Sequence, residues 1–193
     1  MRSSFENADP HERILQTAYE LFTRNGLQAV GVDRIVAEAG VAKMTLYRRF
    51  RSKDELVVAA LDLREKIWTE EWLRREVEGR EATPEGRLLV IFDLFDEWFR
   101  RDDFEGCFFI NSLVESHDRT SRIGVASAQK LTNVRGLLRA WADELGIADP
   151  DDFAREWQTL MSGSIIQAVQ GDREAARSAK DAARVLLASR RGS

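Results

Sequence analysis

Five cations fall within eleven residues that carry no acid: Lys43, Arg48, Arg49, Arg51 and Lys53. Ammonium and guanidinium groups at that density offer charge-assisted hydrogen bonds to a polyanion. The 193-residue chain as a whole is acidic, with a net charge of −4, but the excess is uneven. Residues 1–53 hold nine basic and six acidic side chains, and residues 54–193 hold 20 and 27. A polyanion meets the local field, not the average one.

Little else in the chain is suited to chemistry. There are two histidines, His11 and His117, and one cysteine, Cys107. No glycine-rich phosphate loop, His-Glu-x-x-His zinc motif or Gly-x-Ser-x-Gly elbow occurs. His117 lies among Glu115, Ser116 and Asp118 but has no second His or Cys at ligand spacing, which argues against a metal site. His11, in a first helical turn, is expected to face solvent. No catalysis, cofactor or metal is implied. A lone cysteine forms no internal disulfide, and the opening stretch MRSSFENADPHER lacks the apolar core of a signal peptide. No apolar run approaches the ~18 residues of a membrane span. The expected compartment is the cytoplasm.

The elements that must position the basic window read as helix throughout. Only three prolines occur, each after a capping residue: Asp9-Pro10, Thr83-Pro84 and Asp149-Pro150. Proline suits the first helical position because its φ is preset and it has no N–H to leave unpaired. The first helix is predicted over 10–25, capped by Asp9 with Glu12 reaching back, its apolar face Ile14, Leu15, Ala18, Leu21 and Phe22, its end Gly26. Short helices follow at 32–39 and 43–50, joined by Gly40-Val41-Ala42. Two short helices across a tight glycine turn are a helix-turn-helix pattern. In the second of them Leu46 and Phe50 can face inward, leaving Lys43, Met44, Thr45, Tyr47 and Arg49 outward.

Ser52, with Glu55, caps a long helix predicted from Lys53 to Glu78. Aromatic residues then cluster in a helix over 84–101. Further helices are expected at 107–116, 122–145, 149–170 and 173–189, with a frayed tail at 190–193. Trp68 and Trp72, flanked by charge, are expected half-exposed.

The run GLQAVGVDRIVAEAGVAKMTLYRRFRSKDEL, Gly26 to Leu56, closely resembles the DNA-binding signature of the TetR family of bacterial transcription regulators. The matching residues are Gly26, Val32-Asp33-Arg34-Ile35, Ala39-Gly40-Val41, Thr45-Leu46-Tyr47, Phe50, Ser52-Lys53 and Leu56. The clear match covers about residues 10–60. Val30, Gly31, Ala42, Met44 and Arg49 depart from the usual pattern, and these changes bear on which bases are read. The resemblance implies an all-α fold. A helix-turn-helix DNA-binding domain over 1–55 is joined by a long helix to a ligand-binding and dimerisation domain over 56–193.

The resemblance places the 43–49 helix in the major groove, where each base pair shows a distinct donor and acceptor pattern. Lys43 and Arg49 would donate to guanine, and Met44 and Thr45 would touch thymine methyls. Tyr47, Arg48, Arg51 and Lys53 would hold phosphates. Arg34 and Ala42 complete the DNA-facing set.

For the second half, the resemblance implies an apolar effector pocket. The candidates are Phe92, Phe95, Phe99, Cys107, Phe109, Asn111, Glu115, Trp141, Trp157 and Met161, with Asn111 and Glu115 as its polar groups. It also implies a two-fold homodimer through the last two helices, at Phe153, Leu160, Ser164, Ile165, Ala168, Ala179, Ala183 and Leu186. The operator would be an inverted repeat in double-stranded DNA. The function implied is that of a ligand-responsive repressor. Aromatic and small-residue stripes at helical spacing serve a packed core equally well, so both assignments have an intramolecular alternative. A helix-turn-helix that has become a protein-interaction module is the competing function.

Overall fold

The computed structural model describes residues 9–191. The remainder of the opening stretch and the last two positions of the tail lie outside the described residues. Among the described residues there is no strand. The helices are α1 Pro10–Asn25, α2 Val32–Ala39, α3 Lys43–Arg49 and α4 Lys53–Arg64, then a π-helical segment Glu65–Arg74. After it come α5 Arg75–Arg80, α6 Pro84–Phe99, α7 Phe108–Glu115, α8 Arg122–Glu144, α9 Pro150–Val169 and α10 Ala175–Arg191.

Capping explains most of the boundaries. Thr83 Oγ1 accepts from Gly86 N–H at 3.1 Å, Ser52 Oγ from Glu55 N–H at 3.1 Å and the Asp149 carboxylate from Asp152 N–H at 3.0 Å. Asp9 is an exception to the expected pattern. It precedes α1 without a side-chain cap, and its carboxylate pairs with Arg49 at 3.3 Å instead. Glu55 reaches back to Arg51 N–H at 2.8 Å, one residue beyond the usual capping-box donor. Gly40, at φ 64°, ends α2 in the left-handed region that an L side chain resists.

The helix expected over 53–78 does not keep one winding. Its middle is π-helical, and winding resumes as α5. Bonding from i to i+5 brings residues five apart onto one face, and Trp68 and Leu73, five apart, are both buried.

The chain forms two compact units. The first runs to Lys66 and resumes over Phe108–Lys130; the second comprises Ile67–Cys107 and the chain from Leu131 onward. In the first, α1 packs on α2, α3 and α4, and α4 on α7. Its core holds Ile14, Ala18, Phe22, Ile35, Leu46, Phe50, Leu56 and Leu61. Each of the Leu, Ile and Phe side chains among them contributes about 1.5–3 kcal/mol by leaving water. His11 is not solvent-facing as expected, because its ring stacks on Phe50 at 4.8 Å. Lys130 lies 2.6 Å from both Asp62 and Glu65, and despite partial burial these two acids raise its pKa.

In the second unit α10 packs on α6 and α9. Trp68 is not half-exposed but buried among Trp72, Phe95 and Trp98, with ring centroids 5.4–6.2 Å apart. Trp72 itself is half-buried. The tail is more ordered than expected where described. Arg190 pairs with Asp152 at 2.9 Å and Glu156 at 2.6 Å, and Arg191 with Glu85 at 2.5 Å, all within α10 and its neighbours.

Candidate nucleic-acid interface

The uneven composition of α3 decides which way it faces. Leu46 and Phe50 are buried against the first unit's core. With those positions inside, Met44 stands 66% exposed and Tyr47 44% exposed, while Ala42, Lys43, Arg48 and Arg49 are exposed and Thr45 is half-buried. The inward pair is that expected from the spacing, and so is the outward set except for Thr45, which is half-buried. Side chains this exposed on a short helix are free to meet another macromolecule.

The cations are not equally available. Lys43 Nζ donates to Asp33 Oδ1 at 2.6 Å, across the turn between α2 and α3. That hydrogen bond and the charge of Asp33 raise the Lys43 pKa, so it stays an ammonium. Arg49 shares Asp9, and Arg34 pairs with Glu38 at 2.9 Å along α2. Exposed pairs like these are weak.

Lys53, expected at a phosphate, has a partner within the chain. Its Nζ donates to the Leu27 carbonyl at 2.5 Å and stands 6.0 Å from the centre of the Phe22 ring. The ammonium holds the turn after α1.

Glu115, expected at an effector, has another partner. Its Oε2 accepts from the Leu27 N–H at 2.7 Å and the Gln28 N–H at 3.1 Å. Nothing in the local sequence pairs positions 88 residues apart. Gly26, which ends α1, also makes room for the carboxylate: an added Cβ there would lie 3.0 Å from Glu115 Oε1.

Of the other pocket candidates, Phe109 is buried in the first unit, and Asn111 is exposed on α7 of that unit. Phe92, Phe95, Cys107, Trp141, Trp157 and Met161 are buried in the second unit, with Phe99 half-buried. Phe92 and Phe153 flank Trp157 at 5.7 and 5.2 Å. The buried Trp157 indole N–H has no hydrogen-bond acceptor.

The dimer candidates divide. Phe153, Ser164, Ile165, Ala179 and Ala183 are buried within the single chain and pack its own core. Leu160, Ala168 and Leu186 are half-buried. The large apolar side chains left exposed on α9 and α10 are Ile166 at 45%, Val169 at 59% and Val185 at 71%. Sequence periodicity marked the apolar stripe but not which edge of it the protomer leaves uncovered.

Among the described residues no group of three or more His, Cys, Asp or Glu is placed to hold a metal, and no helix is long and apolar enough to cross a membrane.

The fold and this surface define an all-helical helix-turn-helix protein. Residues 14–60 match the pattern described as bacterial regulatory proteins, tetR family. The chain is 33% identical over 88 residues to the HTH-type transcriptional regulator QacR of Staphylococcus aureus, covering 46% of this chain and 47% of that one. It spans about half the length, or less, of the first curated relatives it matches. Likeness to solved structures extends further. A putative TetR transcriptional regulator from Streptomyces avermitilis superposes with a TM-score of 0.80 at 28% identity, over 92% of this chain and 99% of that one. A TetR-family transcriptional regulator from Streptomyces coelicolor gives 0.81 at 25% identity, over 94% and 95%. Residues 14–60 thus carry the tetR-family pattern, and the chain as a whole is similar to solved TetR-family regulators.

Proposed function

We propose that this chain is a sequence-specific, DNA-binding transcriptional regulator whose α3 reads the major groove of an operator. The observation that carries the reading is the division of α3 into a buried Leu46 and an exposed row of Met44, Tyr47, Arg48 and Arg49 beside Lys43. Lys43 and Arg49 exchange their acids for base edges, Met44 and Thr45 meet thymine methyls, and Tyr47, Arg48 and Arg51 hold phosphates. Arg34 and Ala42 flank this row. Residues 1–55 form the DNA-binding part and 56–193 the part that senses and dimerises.

The regulator acts as a homodimer on an inverted repeat, with the exposed Ile166, Val169 and Val185 of α9 and α10 as the partner-facing edge. It is a repressor released by a small, largely apolar effector. The aromatic interior of the second unit supports an effector there, and the acceptorless Trp157 indole N–H favours one carrying a hydrogen-bond acceptor. Release follows if the effector binds the form unable to hold DNA more tightly than the form that can.

The test is selection of duplexes from a random library by the purified protein, followed by footprinting of the winner. The reading expects an inverted repeat with half-sites about one helical turn, or a multiple of it, apart. Enrichment of no sequence overturns it and favours a helix-turn-helix that serves protein interaction.

A further inference from the structure

Neither helix of the helix-turn-helix fixes its own start. The residues before α2 and α3 are Gly31 and Ala42, and neither offers a side-chain cap. α3 follows α2 across Gly40-Val41-Ala42, and the backbone that delivers α2 is the turn from Gly26 to Val30. That turn is gripped from outside its own segment. Leu27 is buried, and its peptide groups are held on both sides. Its N–H donates to Glu115 Oε2 at 2.7 Å, and its carbonyl accepts from Lys53 Nζ at 2.5 Å. The Gln28 N–H donates to the same carboxylate oxygen at 3.1 Å, and the Gln28 side-chain amide donates to the Glu115 carbonyl at 3.4 Å.

Gly26 makes room for this. At φ 80° it takes a backbone shape that side chains resist, and the space a Cβ would fill is occupied by the carboxylate, 3.0 Å to Oε1 and 3.1 Å to Oε2. A carboxylate accepting two backbone N–H groups makes charge-assisted bonds, stronger than neutral ones.

We propose that Glu115 is a positioning residue for DNA recognition. From the last residue of α7 it fixes the turn after α1, and through that turn it sets the pose in which α2 presents α3 to the groove. The proposal rests on the DNA-binding reading above. It extends the recognition apparatus beyond residues 14–60 to a helix nearly ninety positions downstream.

The test compares the wild-type chain with Glu115→Ala and Glu115→Gln. Two duplexes serve as probes: the one the wild type enriches from a random library, and the unselected library itself. Affinity is read by fluorescence anisotropy, together with thermal midpoints and amide hydrogen exchange at Leu27 and Gln28. Glu115→Ala is expected to weaken the selected duplex about tenfold or more, as loss of charge-assisted bonds implies. Unselected duplex, held by phosphate contacts, should bind within about twofold of wild type. The Leu27 and Gln28 amides should exchange faster. Glu115→Gln keeps the shape and one acceptor oxygen, so it should fold and fall between the two. Parallel loss on both duplexes, tracking a fall in thermal midpoint, reduces Glu115 to a structural residue and overturns the proposal. Faster exchange with unchanged affinity for the selected duplex overturns it equally. If the wild type enriches no duplex, the DNA-binding reading itself fails and takes this proposal with it.

Discussion

Lys43 donates to Asp33 across 2.6 Å, so the first cation of α3 is tied to an acid on the helix before it. An acid at this place has two consequences on a duplex. It holds the ammonium in one orientation, and it adds a negative charge that phosphates must approach. Asp33→Asn is expected to raise affinity for unselected duplex about threefold at low salt, since exposed pairs are weak. The dependence on salt should steepen as the acid leaves the surface and the Lys43 charge is left unpaired. Titration at several salt concentrations checks both; unchanged affinity and slope would mean that Lys43 and Asp33 lie off the interface.

Leu46 and Met44 stand two residues apart on α3 with opposite exposure, buried and 66% exposed. Leu46→Ala should cost about 2–5 kcal/mol of stability, as cavity-forming core changes do. Met44→Ala should stay within about 0.5 kcal/mol of wild type. Met44→Ala should instead alter which base is preferred at one position of the selected site. Denaturant unfolding and repeated selection separate the two effects.

The exposed edge of α9 and α10 carries Ile166, Val169 and Val185. Placing a charge there, as in Val169→Glu with Val185→Glu, is expected to turn a dimer into monomers without loss of helix. A buried charge lacking a partner is costly, whereas an exposed one is not. Sedimentation velocity reads the outcome. A double variant that sediments like wild type would show that this edge is not the partner-facing one.

Arg80 donates to both Glu97 carboxylate oxygens, at 2.6 and 3.0 Å, and this hydrogen bonding holds the Glu97 pKa below the ordinary carboxylate range. A folded-state pKa below the unfolded value means the stabilisation is present at neutral pH. It fades as the pH falls through the folded-state pKa. The pair is largely exposed, so its effect is small. Glu97→Gln should lower the thermal midpoint slightly at pH 7 and match wild type in acid. A difference that persists in acid would point to packing instead of charge.

Much of the first unit was legible because its signals are local. Pro10, Gly26, Gly40 and the Ser52 cap mark helix ends within a few residues of themselves, and α1 and α2 fall on the predicted bounds. Leu46 and Phe50 declared the inner face of α3 by spacing alone. What stayed hidden depends on distant partners. Asp9 caps nothing because Arg49, forty residues on, takes its carboxylate. Glu115 and Lys53 carry charges that suit a ligand or a phosphate, yet the fold brings Leu27 between them. In α9 and α10 the apolar residues were visible, but Phe153, Ile165, Ala179 and Ala183 are consumed by the protomer core. Only three-dimensional packing separates that core from the edge bearing Val169 and Val185.

The most direct test is a binding titration of the selected duplex against unselected duplex at rising salt, for wild type and for Tyr47→Ala with Arg48→Ala. Wild type should prefer the selected duplex by about a thousandfold or more, with affinity for both falling as salt rises. The double variant, which leaves buried Leu46 and Phe50 untouched, should lose affinity for both duplexes and show a shallower salt dependence. Wild-type binding that does not distinguish the duplexes, or a double variant that binds as wild type does, would contradict the assignment of α3 as the reading surface.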